Sequence, residues 1–427
     1  MMPVIVQAPK GTYDVMPADS YKWQYLERVL RDTAKSFGYR EIRFPMFEHT
    51  ELFIRGVGDT TDIVQKEMYT FEDKGGRSIS LRPEGTASVV RAMIEHGGFN
   101  EALPVKCYYI APLFRYEKPQ AGRYRQHWQF GVECFGAKSP AANAEVISLA
   151  DTFLKRLGIR DKSLGIRDIT AHINSIGCPK CRPAYQATLG EYFRAHVDEL
   201  CETCRSRLDR NPMRILDCKS PICSKIAEGA PRIVDYLCSD CQSEFDNTLQ
   251  LLSRMGVDYQ IDSGIVRGFD YYTGLVFEFI SNDIGAQGTV CGGGRYDGLV
   301  EQLGGKPTPG LGFGSGLERL LLVMEKQGVQ IPGEESIDLY IATTGEEAEN
   351  HVQKLILDLR RMGIAAERDL CERSLKSQMK YADKIGARYT MVVGDDELKA
   401  GTAQLKNMET GEQTPCVLSA ETIEAVL

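Results

Sequence analysis

With 427 residues the chain has room for two to three domains of about 150 residues each, and 43% hydrophobic with 26% charged residues is an ordinary globular composition. A net charge of −8 argues against a protein that coats nucleic acid with its whole surface, although a local basic face is enough for phosphate contacts. No apolar run approaches the roughly 20 residues of a membrane span, and the start, MMPVIVQAPKGTYDVMP, has no basic leader or signal-like core, so a cytoplasmic protein without a membrane partner is expected.

A helix is expected from Asp19 or Ser20, either of which can cap it, to Phe37, because Leu26, Leu30, Ala34 and Phe37 recur at helical spacing and Gly38 stops it. Tyr39 to Met46 then alternates like a strand until Pro45 breaks the ladder. Strand-like segments recur at Met68–Phe71, Ser78–Leu81, Tyr108–Tyr116 and Trp128–Phe135, with a helix over Thr86–Glu95. Strands dominate over regular strand–helix alternation, which predicts an antiparallel sheet carrying helices. There is no strand–GxGxxG–helix unit, which excludes a nucleotide-dependent dehydrogenase. From Ile176 to Asn247 the chain is charged, Cys-rich and helical in parts (Ala184–Leu200), as an inserted subdomain would be. Strands resume at Tyr259–Val266 and Leu275–Ile280, and a helix follows over Leu317–Glu325. KQGVQIPGEE, residues 326–335, reads as a polar linker. Beyond it, strands at Ile337–Ala342, Ile364–Glu367 and Tyr389–Val393 alternate with helices at Glu346–Arg361 and Ser374–Ile385. The expected domains are therefore 1–330, with an insertion at about 176–260, and a separate α/β domain at 331–427.

Five stretches carry chemistry, the last two read as a pair. In APLFRYEKPQAGRYRQHWQFGVECFG, Ala111–Gly136, alternate spacing puts Arg115 with Glu117, and Gln129 with Gly131 and Glu133, on common strand faces. Such a face offers a bidentate phosphate binder, an amine acceptor, and an amide and carboxylate for a polar substrate; a solvated face of mixed charge is the plainer alternative. SLRPEGT, Ser80–Thr86, turns at Pro83 and Gly85 and projects Glu84 and Thr86 at a helix start, where either could equally be a helix cap. GLGFGSGLERLLL, Gly310–Leu322, runs glycine-rich backbone into a helix bearing Glu318 and Arg319, suited to a flat ring or a phosphate, or to helix–sheet packing alone. RGFDYYTG (Arg267–Gly274) and GGGRYDGL (Gly292–Leu299) would set Arg295, Tyr296 and one of Tyr271 and Tyr272 around a small polar ligand.

Eight of the 13 cysteines fall between Cys178 and Cys241. Cys178/Cys181, Cys201/Cys204 and Cys238/Cys241 are CxxC pairs and Cys218/Cys223 is a wider CxxxxC, a pattern that suits two structural Cys₄ zinc sites; incidental thiols in a helical insertion are the alternative. From Gly333 onward 11 lysines and arginines face 18 acidic residues, a net of −7. Yet Arg373, Lys376, Lys380 and Lys384 are spaced as one helix face, either a local phosphate-binding patch or a plain solvated face.

These pieces, in this order, resemble the class II aminoacyl-tRNA synthetases, and within them the histidyl branch. GYREIRFPMFE (Gly38–Glu48) is similar to the first class II motif, Phe114–Glu133 to the second and GLGFGSGLER to the third; LRPEGT, RGFDYYTG and GGGRYDGL are similar to stretches particular to the histidyl branch. The resemblance spans essentially the whole chain. It implies an α+β fold: a class II antiparallel sheet with flanking helices, a Cys-rich inserted subdomain and a C-terminal α/β anticodon-binding domain. It implies ATP with Mg²⁺, histidine and tRNA(His) as partners, and a homodimer. Arg115 and Arg267 would hold the α-phosphate as the catalytic pair, Glu117 the adenine side, and Arg123 and Arg319 the outer phosphates. Glu84, Gly85 and Thr86 would receive the ammonium group of histidine, Gln129 would orient its backbone groups, and Glu133 with Tyr271 and Tyr272 would read its imidazole. Gln120 would meet the tRNA acceptor end and the Arg373–Lys384 face its phosphates. The zinc pattern departs from the family, which does not in general require that metal here. The alternative is the non-catalytic paralogue that regulates an enzyme of histidine biosynthesis. That relative is expected to lack the C-terminal domain and several of these arginines, and both are present here. RGFDYYTG and GGGRYDGL argue against a threonyl- or prolyl-type synthetase.

Overall fold

The computed structural model describes residues 6–58, 61–160, 169–218, 220–284, 288–333 and 337–427. The chain divides into two compact units, Met1–Pro332 and Gly333–Leu427. The linker read at 326–335 ends in residues that lie outside the described ones.

The first helix is Pro17–Ser36, starting ahead of the expected Asp19 or Ser20 cap. Proline sits in its first turn, where the missing N–H costs no bond and φ is already helical, and Met16 at the cap position makes no side-chain cap bond. Leu26, Leu30 and Ala34 are fully buried, as their spacing requires. The strand expected over Tyr39–Met46 is split. Arg40–Glu41 joins the large sheet, and Phe47–His49 pairs with Ser78–Leu81 in a separate three-stranded sheet. Between them Arg82 donates to the carbonyls of Phe44 and Pro45 at 2.7 and 3.0 Å, which satisfies backbone that Pro45 keeps out of a ladder.

The large sheet has eight strands in the order Arg40–Glu41, Val105–Phe114, Gln126–Phe135, Gly310–Gly316, Thr289–Arg295, Thr273–Ser281, Ile169–Ser175, Tyr259–Ile261. Its interior pairings are antiparallel and only the two edge strands run parallel to their neighbours. Two central strands, Thr289–Arg295 and Gly310–Gly316, are the glycine-rich stretches, the second of them read from sequence as backbone leading into a helix. Glycine is a poor strand residue, but here close approach requires it. A Cβ on Gly293 would meet the Phe313 Cβ at 2.6 Å, and one on Gly314 the Gln129 side chain at 2.6 Å. The Pro140–Arg156 and Ser239–Arg254 helices pack on the other side; Phe153, Phe245 and Leu252 join the core there, and Asn143 donates to Glu244 at 2.9 Å.

The Cys-rich segment forms helices Arg182–Arg194, Glu202–Leu208 and Pro221–Glu228. Its apolar residues Tyr185, Leu189, Phe193 and Ile215 share one core cluster with Val90, Tyr109, Tyr271 and Tyr272. The second unit is a five-stranded sheet ordered Ala366–Arg368, Leu339–Thr343, Tyr389–Val393, Thr402–Asn407, Gln413–Val417. The first three strands are parallel, with helices Glu346–Arg361 and Leu375–Lys384 as crossovers; the last two add an antiparallel hairpin that the sequence reading did not separate.

Candidate active site

Above the central strands lies a cavity of about 310 Å³. Glu84, Thr86, Arg115, Glu117, Arg123, Gln129, Arg267, Tyr271, Tyr272 and Arg319 all line it. Ten side chains read from four separate stretches are thus brought to one place. Glu133 is buried beneath the cavity, and Gly85 lies under Tyr109, whose ring leaves no room for a Cβ there.

At one end the groups are small and polar. Glu133 Oε1 accepts a hydrogen bond from Thr86 Oγ1 at 2.8 Å, and Oε2 accepts a short one from the Tyr296 hydroxyl. Burial pushes the Glu133 pKa up to about 8 despite these two bonds. Tyr109 donates to Gln129 Oε1 at 2.9 Å and fills the space left by Gly131 on the paired strand. The Glu84 oxygens accept from the Thr86 and Ala87 N–H groups at 2.8 and 2.7 Å, so this carboxylate caps the Thr86–Glu95 helix while also facing the cavity. Each oxygen keeps a second lone pair for a ligand.

At the other end positive charge accumulates. Arg115 leaves the Val105–Phe114 strand, donates to the Pro83 carbonyl at 2.7 Å and stands 5.8 Å from the Phe269 ring centroid. Arg123 pairs closely with Glu117 on the loop that follows, and Arg319 donates to the Gly122 and Thr289 carbonyls at 3.1 and 2.7 Å. His127 sits among them; burial and then Arg115, Arg319 and Arg123 push its pKa down to about 3, so it is neutral across the physiological range. Burial lowers the pKa of Arg319, and Arg123 and Arg115 lower it further. Like charges that depress one another in this way form a site for a polyanion. Arg267 is tied by a short ion pair to Glu278, which also accepts from Thr289 Oγ1 at 2.7 Å. Burial would lower the Arg267 pKa, but Tyr272 and Glu278 outweigh it and hold it above the ordinary range. Its buried Nε has no hydrogen-bond partner among the described residues.

Several expectations need correction. Arg115 and Glu117 lie beyond the end of the strand, so turn geometry and not strand alternation aims them at the cavity. Arg295 does not face a ligand: it is buried on the helix side, bonded to Asn143 Oδ1 at 2.7 Å, Asp297 at 3.0 Å and the Ala137 carbonyl at 3.0 Å. Strand alternation sends Arg295 and Tyr296 opposite ways, and only Tyr296 reaches the pocket. Gln120 is exposed at the tip of the motif loop, in a bridge with Arg123. Arg373 falls outside the Leu375–Lys384 helix, behind a turn at Glu372 (φ 53°), and is bound to Asp369 at 2.6 Å and stacked over Tyr381. Lys376, Lys380 and Lys384 are exposed on the helix itself. Sequence reasoning missed His127, Tyr109 and Glu278. The alternation that gave Gln129 and Glu133 reaches His127 two residues earlier; Tyr109 is legible only once its pairing with Gly131 is known.

A family model described as histidyl-tRNA synthetase matches residues 11–320, and one described as an anticodon binding domain matches residues 338–427. The chain is 56% identical to a histidine–tRNA ligase of Acetivibrio thermocellus over 96% of its own length and 97% of the relative's. It is 53% identical to that of Clostridioides difficile, covering 97% and 98%. Among solved structures, apo histidyl-tRNA synthetase of S. aureus superposes with a TM-score of 0.83 at 39% identity, covering 98% of this chain and 99% of that one. The chain belongs to the histidyl-tRNA synthetase family.

Proposed function

We infer that the chain is a histidine–tRNA ligase that activates histidine with ATP and passes the histidyl group to the 3′-terminal ribose of tRNA(His). The observation that carries this is one cavity with a buried carboxyl, Glu133, beneath its polar end and mutually repelling arginines at the other. A small ligand with an imidazole suits the first end and a nucleotide triphosphate the second. Near-full-length identity to histidine–tRNA ligases supports the same reading, and the intact arginine set disfavours the regulatory paralogue.

In the first step a histidine carboxylate oxygen attacks the α-phosphorus and pyrophosphate leaves. Charge grows on the α-phosphate oxygens, and Arg115 and Arg267 are the cavity cations assigned to it. No protein group needs to move a proton, so catalysis is positioning and electrostatics. Arg123 and Arg319 hold the outer phosphates of ATP, which arrives as its Mg²⁺ complex, and Glu117 and neutral His127 lie on the nucleotide side. Glu84 and Thr86 take the ammonium group on the lone pairs their own bonds leave open. Gln129, held by Tyr109, orients the backbone groups. Glu133, Tyr271 and Tyr272 read the imidazole. Gln120 at the exposed loop tip meets the tRNA acceptor end. Dimerisation through the first motif region is supported by the exposed Met46 and Phe47, 54% and 57% accessible. A cytoplasmic site of action accords with the described helices, none of which is long and apolar enough to cross a membrane.

The test is amino-acid-dependent exchange of pyrophosphate into ATP, run with each standard amino acid in turn. Exchange with histidine alone is expected; exchange with another amino acid would overturn the assignment of Glu133 and Tyr271.

For the anticodon-binding unit, the exposed Lys376, Lys380 and Lys384 are the assigned phosphate contacts, with Arg373 as a buttress. Changing the three lysines to alanine should raise the KM for tRNA and lessen the salt dependence of aminoacylation by a slope of about two to three, since each phosphate contact contributes about one. Histidine-dependent exchange, which needs no tRNA, should keep its rate. An unaltered salt slope would mean that this face is merely solvated.

A further inference from the structure

The eight cysteines of the insertion gather into two groups. Cys178, Cys181, Cys238 and Cys241 bring their Sγ atoms within 4.8 Å of one another, and so do Cys201, Cys204, Cys218 and Cys223. The separations are 3.6 Å for Cys178–Cys181, 3.9 Å for Cys178–Cys238 and 3.8 Å for Cys201–Cys218. A disulfide needs about 2.05 Å, whereas Zn–S bonds of about 2.3 Å set the edges of a ZnS₄ tetrahedron at roughly 3.8 Å. Backbone N–H groups already point at the sulfurs: Lys180 at Cys178 (3.4 Å), Cys238 at Cys181 (3.1 Å), Cys201 at Cys223 (3.3 Å) and Ser220 at Cys218 (3.5 Å). Such bonds favour the thiolate that a metal ligand must be, and orient it.

Both groups also abut the segment that carries Arg267, Tyr271 and Tyr272. Arg182, the residue after Cys181, donates from Nη2 to the Tyr272 carbonyl and from Nε to the Ile176 carbonyl at 3.1 Å. The Ile176 N–H donates to the Gly274 carbonyl at 2.7 Å, and the Gly274 N–H to Gly177 at 3.0 Å. Arg214 donates from Nη1 to the Arg267 carbonyl at 2.8 Å. It lies in the Pro212–Ile215 turn, whose Ile215 carbonyl accepts from the Cys218 N–H at 3.1 Å, and the next residue but one, Asp217, lines the cavity. The substrate segment is thus held at each end by an arginine whose own backbone is anchored beside a Cys₄ group.

We propose that each group binds one zinc ion, and that the two ions hold Arg182 and Arg214 in place as positioning residues for the Arg267–Gly274 segment. The link to catalysis rests on the histidine-activating reading; the metal content does not. Elemental analysis of the full chain should find two zinc ions. Cys178→Ser/Cys181→Ser and Cys201→Ser/Cys204→Ser should each retain one, and the histidine KM in pyrophosphate exchange should rise at least tenfold, as loss of an orienting contact commonly costs, with a smaller change in the KM for ATP. Should the cysteine variants fail to fold, Arg182→Ala and Arg214→Ala keep all eight thiols; they should hold two zinc ions and show the same rise. Zinc well below one per chain, or iron in its place, in protein of full activity would overturn the metal sites. Two zinc ions with an unchanged histidine KM in both arginine variants would overturn the coupling. Two zinc ions in a chain that exchanges with no amino acid would support the sites and defeat the histidine-activating reading instead.

Discussion

Changing Arg267 to alanine is expected to slow histidine-dependent pyrophosphate exchange by about 10³-fold or more, with the KM for ATP changed far less. Removing one preorganised donor from a developing oxyanion typically costs 10²- to 10³-fold, or about 3–4 kcal/mol. Here a second penalty adds to it. Glu278 is Arg267's ion-pair partner and lines the same cavity, so the variant leaves a carboxylate facing the incoming phosphates without its counter-charge. Outer-phosphate binding would persist through Arg123 and Arg319, which separates kcat from KM. The double variant Arg267→Ala/Glu278→Gln should recover about tenfold over the single one, because it removes the repulsion and not the missing donor. A single variant within tenfold of the wild type would end the role assigned to Arg267. A double variant no faster than the single one would remove Glu278 from the account.

The residues of this site were legible from sequence where short-range rules aim them, and illegible where tertiary packing does. Gln129 and Glu133 share a face because strands alternate, and the structure keeps that face. Arg295 was misread because its guanidinium is satisfied by Asn143 and by the Ala137 carbonyl, partners more than 150 residues away in sequence. Gly293, Gly312 and Gly314 have low strand propensity, yet they are strand. At these positions the Gly312 carbonyl and Phe313 Cβ, the Glu133 carboxylate and the Gln129 amide occupy the space a side chain would take, and that crowding overrides the intrinsic preference. Glu84 shows that two placements of one residue need not compete: the carboxylate that caps its helix also lines the cavity.

Changing Glu133 to glutamine should cost histidine recognition about 10²-fold in kcat/KM and also flatten its pH dependence. In the empty pocket the Glu133 carboxyl is pushed up to about 8 by burial, so at neutral pH it is mostly protonated. An imidazole N–H donates to the ionised form, and histidine binding below that value therefore releases a proton. The sign follows: as pH rises from about 7 to about 8, the histidine KM should fall by up to tenfold per unit, then level once the empty site is already ionised. Glutamine has no proton to lose, so the variant should be level across the same interval, at a higher KM. Its amide oxygen can still accept from Tyr296, but an N–H₂ group then replaces the second acceptor oxygen, on the Thr86 side. The pairing of the two observations matters, since a loss of affinity alone would follow from any disturbance beneath the pocket. A wild-type KM that does not move between pH 7 and 8, or a variant that keeps the wild-type slope, would take the imidazole away from Glu133 and leave that carboxyl as a support for Thr86.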